Sequence, residues 1–203
     1  MKKILLCFAA VAAVCMLGCQ HPTTDGKCHI RGTVNGPEYE GKRIFLVPLT
    51  GPATAETVDS MEIKGGKFEF SPDTMQMYKI LLDYHYRYGT QPLLVVAEPG
   101  NINVVIDSIS HATGTPQNDS LEKWKEATEK HNSEYVMLYR AQKKAQADSV
   151  HARYKQFTRR MAANMKEGTL HDFLNGLYPL TYKKKLPDGR VVTMNADTNE
   201  EIK

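Results

Sequence analysis

The chain has 203 residues, 41% of them hydrophobic and 24% charged, with a formal net charge of +3. This is the composition of an ordinary globular protein, long enough for one sizeable core with an appendage. Lys2 and Lys3 belong to a leader, and without them 24 basic residues face 23 acidic ones, so no electrostatic footprint for nucleic acid remains.

Residues 1–18 read as a signal peptide. Lys2-Lys3 is a positive n-region, and Ile4 to Leu17 is an apolar run of 14 residues, short of the roughly 20 needed to span a bilayer. Met16-Leu17-Gly18-Cys19 then places a small residue directly before a cysteine, which is the pattern of a lipoprotein cleavage site. The expectation is a lipoprotein carrying palmitate or a similar acyl group on Cys19, its partner there being the membrane. Several acyl chains, each buried methylene contributing about 0.8 kcal/mol, would make that anchoring stable. Because no acidic run follows Cys19, the expected place is the periplasmic face of the outer membrane, in the cell envelope. Cys7 and Cys15 leave with the leader, so Cys28 stands without an intrachain partner, and its place at the start of an alternating run reads as a buried small hydrophobe.

Residues 19–27 form a polar tether, and 28–116 read as an all-β unit. Alternating or β-branched runs fall at Cys28–Val34, Arg43–Leu49, Thr57–Ile63, Lys67–Phe70, Met77–Tyr86, Gln91–Ala97 and Ile102–Ile106. With no helical period among them, they predict an antiparallel β-sandwich or partly open barrel, with Gly65-Gly66 as a hairpin turn. The fold class is therefore α+β, because the period changes after Gly114-Thr115-Pro116. From Asp119 to Glu167 there is neither glycine nor proline. Leu121, Trp124, Thr128, His131, Tyr135 and Leu138 form one helical stripe; Val150, Tyr154, Phe157, Met161 and Met165 form another. Residues 117–178 thus read as an α-helical hairpin breaking near Ala145–Ser149, a parallel coiled coil being the alternative. Asn118, Asp119 or Ser120 would cap the first helix, and Asp148 or Ser149 the second. Residues 179–203 form a tail in which Pro187-Asp188-Gly189 turns the chain into a short strand at Val191-Val192.

Few residues offer chemistry. His21, His29, His85, His111, His131, His151 and His171 do not stand at metal-ligand spacing, so no metal is expected, and no cofactor fingerprint is present. Asp107, Ser108, Ser110 and His111 have the types of a hydrolase triad but are too close in sequence to converge. Tyr84, Tyr86 and Tyr88 would share one face of a strand and form the best candidate contact surface. Residues 119–167 carry 11 basic against 7 acidic side chains, most simply a solvated face.

One succession of motifs resembles a known family. Ile30-x-Gly32-x-Val34, Val58-Asp59, Gly66-Lys67-Phe68-x-Phe70, Glu98-Pro99-Gly100-Asn101-Ile102-x-Val104 and Gly114-Thr115-x-x-Asn118 are similar to domain of unknown function 4369. In many Gram-negative lipoproteins that domain precedes a thioredoxin-like thiol–disulfide oxidoreductase domain. Leu186-Pro187-Asp188-Gly189-Arg190-Val191-Val192 looks like the opening of such a domain. Its Cys-x-x-Cys is absent here, and electron transfer needs both an attacking and a resolving thiol. The expectation is a non-catalytic binding or interaction module rather than an enzyme. The alternatives are an accessory chain to a separate thioredoxin-like envelope protein, with Val191-Val192 as an orphan strand completing the partner's sheet, or an inactive truncated paralogue. The lipid assignment is checked by Cys19→Ser: incorporation of labelled palmitate is lost and the protein moves from the membrane to the soluble fraction.

Overall fold

The computed structural model describes residues 25–82 and 92–202. The leader, Cys19 and the three tyrosines at 84, 86 and 88 lie outside these residues, as does the end of the strand expected to reach Tyr86.

Eight strands build two sheets: β1 (Cys28–Val34), β2 (Arg43–Pro48), β3 (Asp59–Glu62), β4 (Lys67–Phe70), β5 (Met77–Leu81), β6 (Leu93–Val96), β7 (Gly100–Ile106) and β8 (His111–Thr113). One sheet has the order β4-β1-β7-β8, the other β3-β2-β5-β6. Alternation explains the core between them. Ile30, Val34, Phe68, Phe70, Ile102, Val104 and Ile106 point inward from the first sheet; Ile44, Leu46, Ile80, Leu93 and Val95 meet them from the second.

This is the expected α+β arrangement, a partly open sandwich followed by helices, with two departures in its detail. β1 and β7 run parallel, Cys28 opposite Gly100 and Val34 opposite Ile106. The chain passes between the sheets several times, adding β4 to one side of β1, and β7 then returns on the other side of β1 in the same direction. The Gly65-Gly66 turn is present, closed by mutual Lys64–Lys67 backbone bonds of 3.2 and 3.1 Å, but its strands do not continue as a hairpin. β3 pairs with β2 while β4 pairs with β1, so the turn carries the chain from one sheet to the other. Glu40 stabilises that corner, its carboxylate accepting the Gly65 and Gly66 N–H groups at 2.8 and 3.0 Å.

Three helices cover the outer face of the second sheet: α1 (Pro116–Arg140), α2 (Lys144–Met165) and α3 (Thr169–Leu177). Met77 and Val96 from the sheet pack there with Leu121, Trp124, Tyr154, Ala162, Leu170 and Leu174, giving the molecule a second apolar core. The hairpin breaks at Ala141–Lys143 rather than near Ala145–Ser149, and α2 begins at Lys144 without a side-chain cap. Gln142 takes a left-handed conformation, φ 58°, and the Lys143 N–H returns to Leu138 O. This closes a C-terminal cap without the glycine that usually marks one. Phe157, read into the apolar stripe of α2, is exposed, while Thr158 takes the buried place beside it. Among the described residues, no helix is long and apolar enough to cross a membrane.

α1 starts at Pro116, earlier than expected, and none of Asn118, Asp119 or Ser120 is its N-cap residue; Thr115 holds that place but makes no side-chain cap. The cap comes from Glu98, at the end of the sandwich. Its Oε1 accepts the Gln117 and Asn118 N–H groups at 2.8 and 3.2 Å, two of the donors a helix start leaves open. Asn118 turns into the core, fully buried. Its Oδ1 accepts the Val96 N–H (2.9 Å) and its Nδ2 donates to Val96 O (2.8 Å), as a neighbouring strand would. Gln117 donates to Glu98 Oε2 and accepts the Leu170 N–H at 2.9 Å, binding the start of α3 as well. Gly168, at φ 116°, must lack a side chain here, because a Cβ would stand 2.8 Å from Gln117 Oε1.

Through residue 202 the tail forms a small sheet of its own. β9 (Thr181–Lys185) and β10 (Val191–Asn195) form a hairpin across the Pro187-Asp188-Gly189 turn. Val191-Val192 is therefore not an orphan strand, and residues 200–202 return along the other side of β10 through Met194–Glu201 and the Ile202 N–H to Thr193 O. Asp197 ties this unit to α2 through Lys155 and Arg159. All five residues of β9 are exposed, Lys183, Lys184 and Lys185 among them, and no described strand pairs with its outer edge.

The Asn118 clamp gives a stability test. Asn118→Ala leaves the outward N–H and C=O of Val96 buried and unpaired and is expected to cost about 3 kcal/mol, lowering Tm by roughly 10 °C. Asn35→Ala, at an exposed site, should move Tm by no more than about 2 °C. Thermal unfolding followed by circular dichroism reads both.

Candidate functional site

A groove of about 770 Å³ opens among the described residues between β6, the β7–β8 turn and α1. Pro92, Leu93, Leu94, Ile109 and Trp124 give it apolar walls; Asp107, Ser108, Ser110, Glu129, Asn132 and Ser133 give it polar ones. β6 is the edge strand of its sheet, and backbone groups along a strand face alternate sides with period two. Asn118 occupies the outward groups of Val96, so those of Leu94 face the same open side. Among the described residues nothing pairs with them.

Most charges around the groove are already engaged. Lys125 donates to Glu122 Oε1 at 2.7 Å and to Ser110 O at 3.4 Å. Glu122 also accepts the Ala112 N–H at 2.7 Å. Of the four residues of triad type, Asp107, Ser110 and His111 close their own turn instead of converging, and Ser108 is exposed at it. Ser110 Oγ donates to Asp107 O at 3.0 Å, Asp107 Oδ1 accepts the Ile109 N–H, and His111 Nδ1 lies 3.2 Å from Ile109 O. Ser110 and His111 thus serve the turn that shapes one wall of the groove. Sequence reasoning missed this groove. Its polar lining on α1 lies off the apolar stripe, and no local pattern distinguishes Glu129 or Ser133 from other solvated helix positions.

A second cluster lies where α1 meets α2. His131 stacks on Tyr154, ring centroids 4.2 Å apart, and lies beside Tyr135 and His151. Tyr154 and His151 both meet Tyr178 edge-on, at 6.0 and 5.8 Å. Burial, with the neighbouring Tyr154, raises the Tyr178 hydroxyl above its ordinary pKa. Thr128 Oγ1 lies 2.6 Å from the Tyr154 hydroxyl, and Trp124 Nε1 donates to Thr158 Oγ1 at 3.3 Å. Because these rings cover one another's faces, the cluster is first of all the packing seam of the hairpin. Among the described residues no group of three or more histidine, cysteine or acidic side chains stands close enough to hold a metal ion.

Cys28 occupies the core between the sheets, as its place in the alternating run predicts. Burial pushes its thiol up to about 11, so at neutral pH the nucleophilic thiolate is scarcely populated.

These elements define a β-sandwich with a helical layer on one face and a groove at the boundary between the two. Residues 28–121 match the family model described as Domain of unknown function (DUF4369). The matched stretch takes in both sheets and the first turns of α1, so Glu98, Gln117 and Asn118 all lie inside it. Comparison with curated proteins and with solved structures gave no match.

The buried thiol gives a clear reactivity test. In the native protein at pH 8 the peptide carrying Cys28 should stay unmodified by iodoacetamide, and it should alkylate fully in denaturant; rapid native alkylation would remove Cys28 from the core. Since folding favours the neutral thiol, its contribution to stability is intact below the ordinary pKa of 9.0 and is lost as the pH rises through about 11.

Proposed function

We propose that this protein is a non-catalytic binding module of the cell envelope, held at a membrane by lipid on Cys19, which receives its partner in the groove along β6. The observation that carries the reading is the groove itself. It combines apolar and polar walls with a backbone edge at Leu94 that no described residue pairs, which suits an extended chain adding alongside a strand. Cys28, the one free thiol among the described residues, is buried, which speaks for binding over redox catalysis, because disulfide exchange requires an accessible thiolate and a second sulfur. Tyr84, Tyr86 and Tyr88 remain a proposed contact surface.

A second reading makes the chain an accessory to a thioredoxin-like envelope protein. In its favour are the resemblance of Leu186–Val192 to the opening of such a domain and the exposed Leu180, Tyr182 and Val191 around the β9–β10 hairpin.

The test is a pull-down of the C-terminally tagged chain from cross-linked envelope, compared with the double variant Ser108→Arg, Ser133→Arg. Both serines are exposed on opposite walls of the groove, so the substitutions fill it without entering a core. A partner recovered with the parent and reduced at least tenfold in the double variant supports the groove reading. Equal recovery overturns it. A thioredoxin-like partner lost only on deleting residues 186–203 selects the second reading, and reduction of a disulfide substrate by the purified chain overturns the non-catalytic one.

A further inference from the structure

Along the hairpin seam, His131 Nε2 and His151 Nδ1 stand 3.3 Å apart, projected from two different helices. Nitrogen ligands bind zinc at about 2.0–2.1 Å, and a tetrahedral angle between two of them places the nitrogens about 3.3–3.4 Å from each other. The two imidazoles therefore already have the separation of adjacent ligands on one ion.

Their surroundings also fit that role. His131 Nδ1 lies 3.0 Å from Asn132 Oδ1, an atom that only accepts, so Nδ1 carries the hydrogen and Nε2 presents its lone pair. An outer partner of this kind fixes the tautomer and the ring orientation of a metal-bound histidine. In the metal-free protein the His131 Nε2 lone pair accepts the hydrogen of His151 Nδ1. On binding, His151 takes its other tautomer, with the hydrogen on Nε2, and both lone pairs turn to the ion. No proton is lost; only water leaves the metal. The rings are held by packing: His131 stacks on Tyr154 between Tyr135 and His151, and His151 rests edge-on against Tyr178. Both histidines are half-buried, so solvent reaches the remaining coordination positions. Two imidazoles without a carboxylate suit a late first-row divalent ion far better than calcium or magnesium, which take oxygen ligands.

We propose that His131 Nε2 and His151 Nδ1 form a two-imidazole site for a divalent transition-metal ion such as zinc or nickel, completed by water and bracing α1 against α2. The site lies outside the groove and shares with it only the neighbouring Asn132, so either proposal can fail while the other stands.

The experiment is isothermal titration of the full chain in mild detergent with zinc chloride, then nickel chloride, in a non-coordinating buffer. The expected result is one ion per chain at micromolar affinity and a higher Tm with metal. His131→Phe and His151→Phe keep an aromatic ring and remove the donor; each should weaken binding at least tenfold and abolish the Tm shift. His171→Phe, at a histidine engaged with Asp172 and Asn175, should bind as the parent does. A parent chain that binds no ion, or phenylalanine variants that bind undiminished, overturns the proposal. Should either variant fail to fold, the parent supplies the readout through carbethoxylation mapped by mass spectrometry. Zinc must then protect His131 and His151 while leaving His171 reactive, and equal reaction of all three with and without zinc overturns the site.

Discussion

The Glu98 carboxylate holds the helical layer to the β-sandwich, and the rest of the architecture depends on where it sits. It stands just past the end of β6, so a side chain from the sheet supplies the cap that a helix normally provides for itself. Asn118, in the first turn of the helix, then completes the edge of the same strand. The two exchanges are reciprocal: the sandwich satisfies the helix's free N–H groups, and the helix satisfies the strand's free N–H and C=O. Each set would otherwise be buried without partners, so neither layer closes well without the other. Gln117 extends the arrangement to α3, which explains how a nine-residue helix holds a fixed place in the second core.

Once α1 is fixed at its start, the remainder of the helical layer follows from hairpin register. Trp124 with Thr158, Thr128 with Tyr154, and His131 with His151 are each equidistant in sequence from Ala141. In an antiparallel pair of helices, residues related in this way face each other along the seam. The turn at Ala141–Lys143 therefore sets which side chains meet, and the histidine pair and the buried hydrogen bonds are all products of its position. Asp197 then fastens the C-terminal hairpin to the outer side of α2, leaving the groove side of α1 free.

Local pattern made the strands legible. Alternation located β1, β4 and β7 nearly to the residue, because each buries one face, while β2 and β6, covered on both faces, showed as short apolar runs bounded by turn residues. The pairing of β1 with β7 was not legible, since partner choice between distant strands leaves no local trace. β8, at three residues, is too short for any period to show. The hairpin break was misplaced because Gln142 adopts a conformation that the sequence usually marks with glycine. Glu98 was visible only as a motif residue and Asn118 as one of three candidate caps; that Glu98 does the capping and Asn118 clamps the strand needed the three-dimensional neighbour. His131 and His151 do not stand at metal-ligand spacing, and a hairpin broken near Ala145–Ser149 does not bring them opposite each other. Measured from the turn instead, they are symmetric, and the correct break would have paired them. The groove had no sequence signal, being assembled from an edge strand, a turn and the polar side of a helix.

The bare outer edge of β9 bears on how such molecules coexist. Confinement to a surface by a lipid, as proposed for this chain, raises the local density of neighbours far above that of the same number of molecules free in a compartment. An open strand edge is then a standing invitation to pair with its copy on the next molecule. Lys183, Lys184 and Lys185 set three positive charges in succession along that edge, so two such edges approaching each other meet mutual repulsion before their backbones come within bonding distance. The tail can thus keep an unfinished sheet in a crowded two-dimensional layer without the molecules zipping into filaments.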